Sequence, residues 1–316
     1  MNLEPHILKK MRCPVCHAKL DYNQETLNCS TKGCAVFPIV GRVPVILNES
    51  RSLFKADQFG QQIETQKTFK TRLQAQIERI LPEIDINIGT AQNFNRFGQK
   101  LMKKCSAPTV LVIGGRVTGE GMQTLLDQKK VHLVETDIAM GPRADMICDA
   151  HDIPFEDGAF DGVVIQAVLE HVLDPVRCVA EIYRVLNETG LVYAETPFMQ
   201  PVHMGRYDFT RFTRLGHRRL FRAFDELSSG PVAGTGLALA LACQYFLMSF
   251  CKTGAMRFLT MSLSRLLFFW LKYFDYYLVA QKSTSDAAAG FYFMGQKSEK
   301  LLADKTLIGQ YQGGFR

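Results

Sequence analysis

Thr109-Val110-Leu111-Val112-Ile113 runs directly into Gly114-Gly115-Arg116-Val117-Thr118-Gly119-Glu120-Gly121. A short apolar run that ends in glycines reads as a buried strand entering a turn whose backbone lets a ligand come close. Val134-Glu135-Thr136-Asp137 ends a second apolar run in acids, and a third ends Cys148-Asp149-Ala150-His151-Asp152-Ile153-Pro154-Phe155. Next come Phe160-Asp161-Gly162-Val163-Val164-Ile165-Gln166, then Leu169-Glu170-His171-Val172, and finally Leu186-Asn187-Glu188-Thr189-Gly190. Strands alternating with helices of about a dozen residues predict a parallel sheet with its ligand at the carboxyl ends of the strands. An acid closing the second strand suits a pair of ribose hydroxyls, which are donors. A glycine loop alone would fit a nicotinamide enzyme equally well. The acid after the third strand and the Leu-Glu-His element lie outside that dinucleotide fingerprint.

This order resembles the class I S-adenosylmethionine-dependent methyltransferases, in particular their type 11-like members, which carry Leu-Glu-His-Val before a Leu-x-x-x-Gly turn. The resemblance implies an α/β protein with a Rossmann-like, seven-stranded sheet and S-adenosylmethionine as cofactor. It also implies site residues. Gly114, Gly115 and Gly119 would lie under the methionine part, and Asp137 would hold the ribose, with Glu135 as the fallback two residues earlier. Asp149 would accept from the adenine amino group beside Ala150 and His151, and Gln166 would stand near the sulfonium. His171 is expected to be a structural wall. Two departures stand out: Val112 replaces the usual acid, and Arg116 replaces a common glycine in a loop where positive φ costs a residue with a Cβ.

At the front, Cys13-Pro14-Val15-Cys16 and Cys29-Ser30-Thr31-Lys32-Gly33-Cys34 form a C-x2-C, x12, C-x4-C set. Two such knuckles present four thiolates tetrahedrally, as a structural Zn2+ site requires, with His6 and His17 as spare neighbours. With Val36-Phe37-Pro38-Ile39-Val40 and Val43-Pro44-Val45-Ile46-Leu47, the segment resembles the zinc-ribbon activators of tRNA methyltransferases and the ribbon of some rRNA guanine methyltransferases. A ribbon of about 50 residues is expected to need its metal to fold.

The chain has 316 residues, 47% hydrophobic and 22% charged, which is enough for one large domain and a smaller module. Cys105, Cys148, Cys178, Cys243 and Cys251 are scattered through apolar sequence, which favours a reduced protein with one metal site over a disulfide scaffold. The opening Met1-Asn2-Leu3-Glu4-Pro5-His6 lacks a basic-then-apolar leader, so a cytoplasmic location is expected. The expected organisation is a ribbon over 1–50, a helical linker over 51–105, a methyltransferase domain over 106–300 and a tail over 301–316. In the linker, Phe54, Phe59, Ile63, Phe69, Leu73, Ile77 and Ile80 recur at helical spacing up to Pro82, and a second helix is predicted from Ala91 to Lys104.

After the fifth strand (Gly190–Glu195), the stretch Thr196 to Thr213 collects His203, Tyr207, Asp208 and arginines, in the position of a substrate loop. His203 is the candidate general base for a hydroxyl acceptor, with Tyr207 beside it as a second catalytic candidate. Net charge is +6, and six arginines lie between Arg206 and Arg222 against Asp208. Arg211 and Arg214 are therefore candidate contacts to an anionic part of the substrate, the alternative being a solvated face. No Asn/Asp-Pro-Pro-Tyr sequence follows the fourth strand, against methylation of exocyclic adenine or glutamine amides, and no Pro-Cys nucleophile argues for cytosine-C5 chemistry.

A sixth strand is predicted near Leu227–Ala233 and a last one at Phe291–Gly295. Between them, about 235–285, lies a helical insert with an uncharged run from Leu237 to Cys251. That run is short of the roughly 20 apolar residues that cross a bilayer. Arg265, Lys272 and Asp275 share one helical face of Phe258–Ala280, so the insert is expected either as a lid or homodimer surface, or as an interfacial helix pair at the inner membrane that admits a lipid-linked acceptor. The predicted activity is methyl transfer to a small or carrier-linked acceptor with an anionic part, such as a sugar, glycan or lipid intermediate. The alternatives are an rRNA or tRNA methyltransferase, favoured by the ribbon and the basic segment, and a non-catalytic zinc-ribbon scaffold for a partner enzyme.

Overall fold

The structure, a computed structural model, describes residues 3–59, 76 and 79–314. Its framework is one mixed sheet of 11 strands in the order β1-β2-β3-β4-β7-β6-β5-β8-β9-β11-β10. The ribbon supplies β1 (Leu20–Asn23), β2 (Thr26–Cys29), β3 (Val36–Val40) and β4 (Val43–Ile46). The larger unit supplies β5 (Thr109–Ile113), β6 (His132–Asp137), β7 (Met146–Cys148), β8 (Phe160–Gln166), β9 (Leu186–Pro197), β10 (Phe224–Ala233) and β11 (Gly290–Lys297). β7, β6, β5, β8 and β9 run parallel, and β11 alone is reversed, lying antiparallel between β9 and β10.

Alternation along the central strands builds two cores, because successive side chains leave opposite faces. Leu111, Ile113, Val163, Ile165, Val192 and Ala194 pack with Cys178, Val179, Ile182 and Val185 of α4 (Pro175–Val185). Val110, Val112, Val164 and Tyr193 face the other way, onto Phe94, Phe97 and Leu101 of α2 (Thr90–Lys104) and Leu125 of α3 (Gln123–Leu126). Covered on both faces, these strands can be apolar throughout, as Thr109–Ile113 is. Asp174 starts α4 by accepting the Arg177 N–H at 3.0 Å, with Pro175 in the first turn.

The seven strands β5 to β11 match the expected sheet, but the ribbon is not a separate bead. Its last strand, β4, joins the edge of that sheet in parallel, pairing Val45 with Ile147 and Ile46 with Cys148. That pairing raises the count from seven to 11. Ile7 and Met11 of the segment that begins with α1 (Pro5–Lys10), together with Leu27 and Phe37, belong to the same core cluster as Phe155 and Phe160. The Arg12 N–H donates to Pro154 O at 2.9 Å, and Lys10 Nζ donates to Ala159 O at 2.6 Å. The small module therefore draws on the core of the large one as well as on its cysteines.

Ile63, Phe69, Leu73 and Ile77 of the expected linker stripe lie outside the described residues; Ile80 is exposed. Between β10 and β11 the chain forms α6 (Thr235–Met248), α7 (Gly254–Phe268), a 3-10 turn (Phe269–Phe274), α8 (Asp275–Leu278) and α9 (Thr284–Ala287). Three charges of this region turn inward, while Lys252, Arg257 and Lys282 stay exposed. Asp275 is fully buried and caps the start of α6, accepting from the N–H groups of Gly234, Gly236 and Leu237 at 3.1, 2.7 and 2.9 Å. Arg265 Nε reaches Pro82 O at 2.9 Å and Lys272 Nζ reaches Glu83 O at 2.6 Å. Phe246, Phe250, Leu259, Leu263, Trp270 and Tyr277 of the same insert are exposed.

Candidate active site and metal centre

One cavity of about 1570 Å³ opens along the carboxyl ends of the parallel strands. From β5 to β8 it is lined by Gly114, Arg116, Gly119, Asp137, Asp149, Ala150, His151 and Gln166. Gly114 has φ +84°, and a Cβ there would come within 2.4 Å of Val168 Cγ2. At Gly119 a Cβ would come within 2.0 Å of Gln166 Oε1. Arg116 carries no positive φ; that demand falls on Gly114 and Gly121, so the substitution of the common glycine is accommodated. Ala167, at the end of β8, does adopt φ +52°, a strained value for a residue with a Cβ on the cavity wall.

Asp137 accepts from the Arg116 N–H at 3.2 Å and the Ala139 N–H at 3.0 Å, closing the glycine turn onto the second strand. Burial raises its carboxyl above the usual range, against the pull of these N–H groups. Glu135 does not reach the cavity: it pairs with Arg143 at 2.9 and 2.7 Å. Gly115 is likewise behind the wall, against Glu135 Cβ. Asp149 accepts from His151 Nδ1 at 2.6 Å and from Ser52 Oγ at 2.6 Å. Burial opposes its ionisation, but these hydrogen bonds outweigh it and hold the carboxyl below its ordinary value. Gln166 donates to Glu120 O and Glu195 Oε2 at 3.1 and 2.7 Å. Val112, where an acid was expected, is buried on the apolar floor.

Two acids escaped the sequence reading. Glu195, near the end of β9, is buried and receives Thr90 Oγ1 at 2.9 Å and the Tyr193 hydroxyl; burial raises its carboxyl. Its signal was an acid inside the otherwise apolar fifth strand. Glu170 is fully buried, and neither carboxylate oxygen has a hydrogen-bond partner. Burial pushes its carboxyl up to about 8. His171 Nε2 and His203 Nε2 each lie 3.7 Å from Glu170 Oε1. The loop that carries His203 docks here because the Phe209 N–H donates to Glu170 O at 2.8 Å and His171 Nδ1 donates to Tyr207 O at 2.8 Å. His203 and Tyr207 both line the cavity, with Tyr207 against Phe54 from the linker and under Arg206.

The arginine cluster disperses. Arg211 grips Asp208 through both terminal nitrogens and donates to Gln200 O at 3.2 Å and Pro201 O at 3.1 Å. Burial works against ionised Asp208, but Arg211 and the His203 N–H outweigh it and hold the carboxyl down to about 2. Arg214 faces a separate small hollow, reaching Gln312 Oε1 at 2.5 Å and Ser229 Oγ at 3.3 Å. Arg218 is buried on Phe221 O and Phe224 O and pairs with Glu226. Neither Arg211 nor Arg214 lines the main cavity, which corrects their reading as substrate contacts. The arginines on its wall are Arg51, Arg116, Arg177 and Arg206. Sequence proximity grouped Arg211, in the loop before α5 (Arg214–Leu220), with Arg214 and Arg218, which that short helix points in different directions.

In the ribbon, the Sγ atoms of Cys13, Cys16, Cys29 and Cys34 all lie within 4.8 Å of one another. Individual separations are 3.9 Å (Cys13–Cys34), 3.3 Å (Cys16–Cys29) and 3.4 Å (Cys34–Cys16). Four thiolates each about 2.3 Å from one zinc ion would sit about 3.8 Å apart. Crowding by Cys16, followed by burial, pushes the Cys34 thiol up to about 12, as expected of thiols that cannot all ionise without a cation. His6 lies elsewhere, beside Glu4 and His132.

Residues 118–194 match the model of a methyltransferase domain. The chain is 28% identical over 128 residues to proteins of two Mycobacterium tuberculosis strains described as probable S-adenosylmethionine-dependent methyltransferases. That alignment takes in 38% of this chain and 47% of theirs, so the chain spans about half the length of the curated relatives it matches. Among solved structures, phosphoethanolamine N-methyltransferase 2 of Haemonchus contortus is 15% identical over 64% of this chain and 52% of its own, with a TM-score of 0.39. The 1,6-didemethyltoxoflavin N1-methyltransferase of Burkholderia thailandensis is 13% identical over 65% and 78%, with a TM-score of 0.38. At that level of likeness the substrates of those enzymes say nothing about this one. The likeness to a methyltransferase domain thus lies in residues 118–194, the stretch that carries β6 to β9 of the cavity.

Proposed function

We propose that this chain binds S-adenosylmethionine at the strand ends of β5 to β8 and methylates an oxygen of a carrier-linked acceptor held by residues 197–207. The observation that carries the reading is the single cavity shared by Asp137, Asp149 and Gln166 on one side and His203 and Tyr207 on the other. The donor set fits the cofactor. Asp137 retains lone pairs for two ribose hydroxyls, Asp149 can accept an amino group beside Ala150, and the space over Gly114 and Gly119 is one that a Cβ would fill. The cofactor supplies an electrophilic methyl group. The chain supplies position: acceptor oxygen, methyl carbon and sulfur must lie in line, and a cavity bounded by rigid strand ends holds the first to the rest. His203 can take the acceptor proton at Nε2, since its Nδ1 faces Asp208 Oδ2 at 3.4 Å.

The carrier-linked acceptor is supported by the insert. Arg265, Lys272 and Asp275 are tied inward to residues 81–83 and to α6, and the exposed side chains include Trp270, Tyr273 and Tyr277 together with the basic Lys252, Arg257 and Lys282. Aromatic and apolar exposure of this extent suits a peripheral lipid surface, and Arg206 at the cavity rim suits an anionic group near the acceptor. Among the described residues no helix is long and apolar enough to cross a membrane. The ribbon holds one structural zinc ion through Cys13, Cys16, Cys29 and Cys34.

Incubation with labelled S-adenosylmethionine and separate lipid, RNA and soluble-metabolite extracts tests the acceptor. Label in the lipid fraction supports the reading. Label in RNA would replace it with the nucleic-acid alternative, and failure to bind S-adenosylmethionine in a calorimeter would favour the scaffold.

A further inference from the structure

Glu170, His171 and His203 form a second cluster of metal-ligating side chains, 4.8 Å or less between ligand atoms, on the wall of the main cavity. Its internal hydrogen bonding is unusual. His171 Nδ1 is 2.8 Å from the carbonyl oxygen of Tyr207, an acceptor without a proton, so Nδ1 carries the hydrogen and the neutral ring presents a bare lone pair at Nε2. His203 Nδ1 lies 3.4 Å from Asp208 Oδ2, a contact that favours the hydrogen on Nδ1 and leaves Nε2 bare in the neutral ring. Both Nε2 atoms lie 3.7 Å from Glu170 Oε1, and the Glu170 oxygens are buried without a partner. Two imidazole nitrogens and a buried, unpartnered carboxyl thus gather at one point, too far apart to hydrogen-bond to one another and with room for a cation among them.

The geometry points to a divalent first-row transition-metal cation bound by Glu170, His171 and His203, with open positions facing the acceptor end of the cavity. Ligand atoms each about 2.0–2.2 Å from a metal stand about 3.0–3.5 Å apart; here each Nε2 is 3.7 Å from Glu170 Oε1 and no pair exceeds 4.8 Å, so binding draws the three groups together. Two imidazoles and a carboxylate suit zinc, iron(II), cobalt(II) or manganese(II). The surroundings have the form of a metal-histidine support: a backbone carbonyl holds one imidazole, and a carboxylate that Arg211 keeps ionised holds the other. Asp208 and Arg211 are thus positioning residues, which accounts for an arginine folded away from the cavity.

The site deepens the proposed activity and changes one role in it: with Nε2 on the cation, His203 no longer takes the acceptor proton, which passes to water. A hydroxyl oxygen of the acceptor occupying an open position loses its proton to water more readily than in solution. The oxygen then forms its bond to the methyl carbon while the carbon–sulfur bond breaks and the electron pair stays on sulfur. Its role in transfer rests on the reading of the acceptor end; binding of the cation does not.

The test uses the full-length protein with its ribbon already zinc-loaded. Cobalt(II) is added, excess metal is removed by gel filtration, and bound cobalt is measured with its visible spectrum. The expected result is one cobalt per chain with weak bands and no thiolate charge transfer. Cobalt affinity should drop at least 100-fold in His203→Ala and in Glu170→Gln. In Asp208→Asn it should drop about 10–100-fold, as loss of an outer partner does. S-adenosylmethionine binding, measured separately, should persist in His203→Ala, so loss of the metal there is not loss of the fold or of the cofactor site. No cobalt in the wild type, cobalt seen only with thiolate bands, or full occupancy in both ligand variants would each overturn the site.

Discussion

Ser52 Oγ donates to Asp149 Oδ2 at 2.6 Å, joining the first residues after the ribbon to the acid that closes the third parallel strand at the cavity. Val45–Ile147 and Ile46–Cys148 pairing lies immediately upstream on both segments. The ribbon is therefore coupled to the cofactor end of the cavity by one strand pairing and one side-chain bond. Ser52→Ala is expected to weaken S-adenosylmethionine binding about three- to tenfold, ~0.7–1.4 kcal/mol, with zinc content unchanged. Calorimetry reads this directly. Unaltered affinity would mean that His151 alone sets Asp149.

Asp137→Ala should weaken cofactor binding at least tenfold, because hydrogen bonds to a charged group are worth about 1.5–3 kcal/mol. Its N–H partners Arg116 and Ala139 would also lose their acceptor, so Asp137→Asn is the gentler companion. Glu135→Ala should instead lower stability through Arg143 and leave affinity alone. The reverse pattern would move the ribose site two residues upstream.

Elemental analysis should find one zinc in an all-sulfur shell, and Cys34→Ser should lose it. Because β4 is part of the main sheet, this loss should also lower cofactor affinity and not only unfold residues 1–50. A Cys34→Ser variant that keeps its sulfur-bound zinc would refute the ligand set.

His217 is completely buried among Phe212, Phe221 and Phe293, and burial depresses its pKa to about 3. The folded state therefore binds fewer protons than the unfolded state between that value and the ordinary 6.5. Stability is complete above about pH 6.5 and is lost as pH falls toward 3, by roughly 2 kcal/mol at pH 5 from this group. Denaturant midpoints at pH 7 and 5 should show the fall, and His217→Phe should flatten it. An equal fall in the variant would assign the acid sensitivity elsewhere.

Flotation with anionic vesicles should carry the protein upward, and Trp270→Ala combined with Tyr277→Ser should reduce this severalfold. If the protein stays with the soluble fraction and instead dimerises with concentration, the exposed side of the insert is a contact between copies. Arg206→Ala should raise KM for an anionic acceptor, while Arg214→Ala, outside the cavity, should leave transfer unchanged.

The parallel order of the sheet, the glycine turn, the terminal acids and the four cysteines were legible in the sequence because each depends on local signals. Apolar runs of strand length, residues that tolerate positive φ and ligand spacing survive without knowledge of the rest of the chain. The second helix predicted from Ala91 begins at Thr90, and the last strand predicted from Phe291 begins at Gly290. What depends on distant partners was not legible. A strand pattern does not say which edge it will join, so β4 looked like part of an independent ribbon until it paired with β7. Arg211 and Arg214 looked alike as charges in a run, yet Asp208 takes one and Gln312 the other. Glu170 looked like one letter of a motif; only the fold buries it and brings His203, 33 positions later, onto the same oxygen. Burial and convergence are properties of the packed chain, and they turned an acid beside a histidine into a candidate metal ligand.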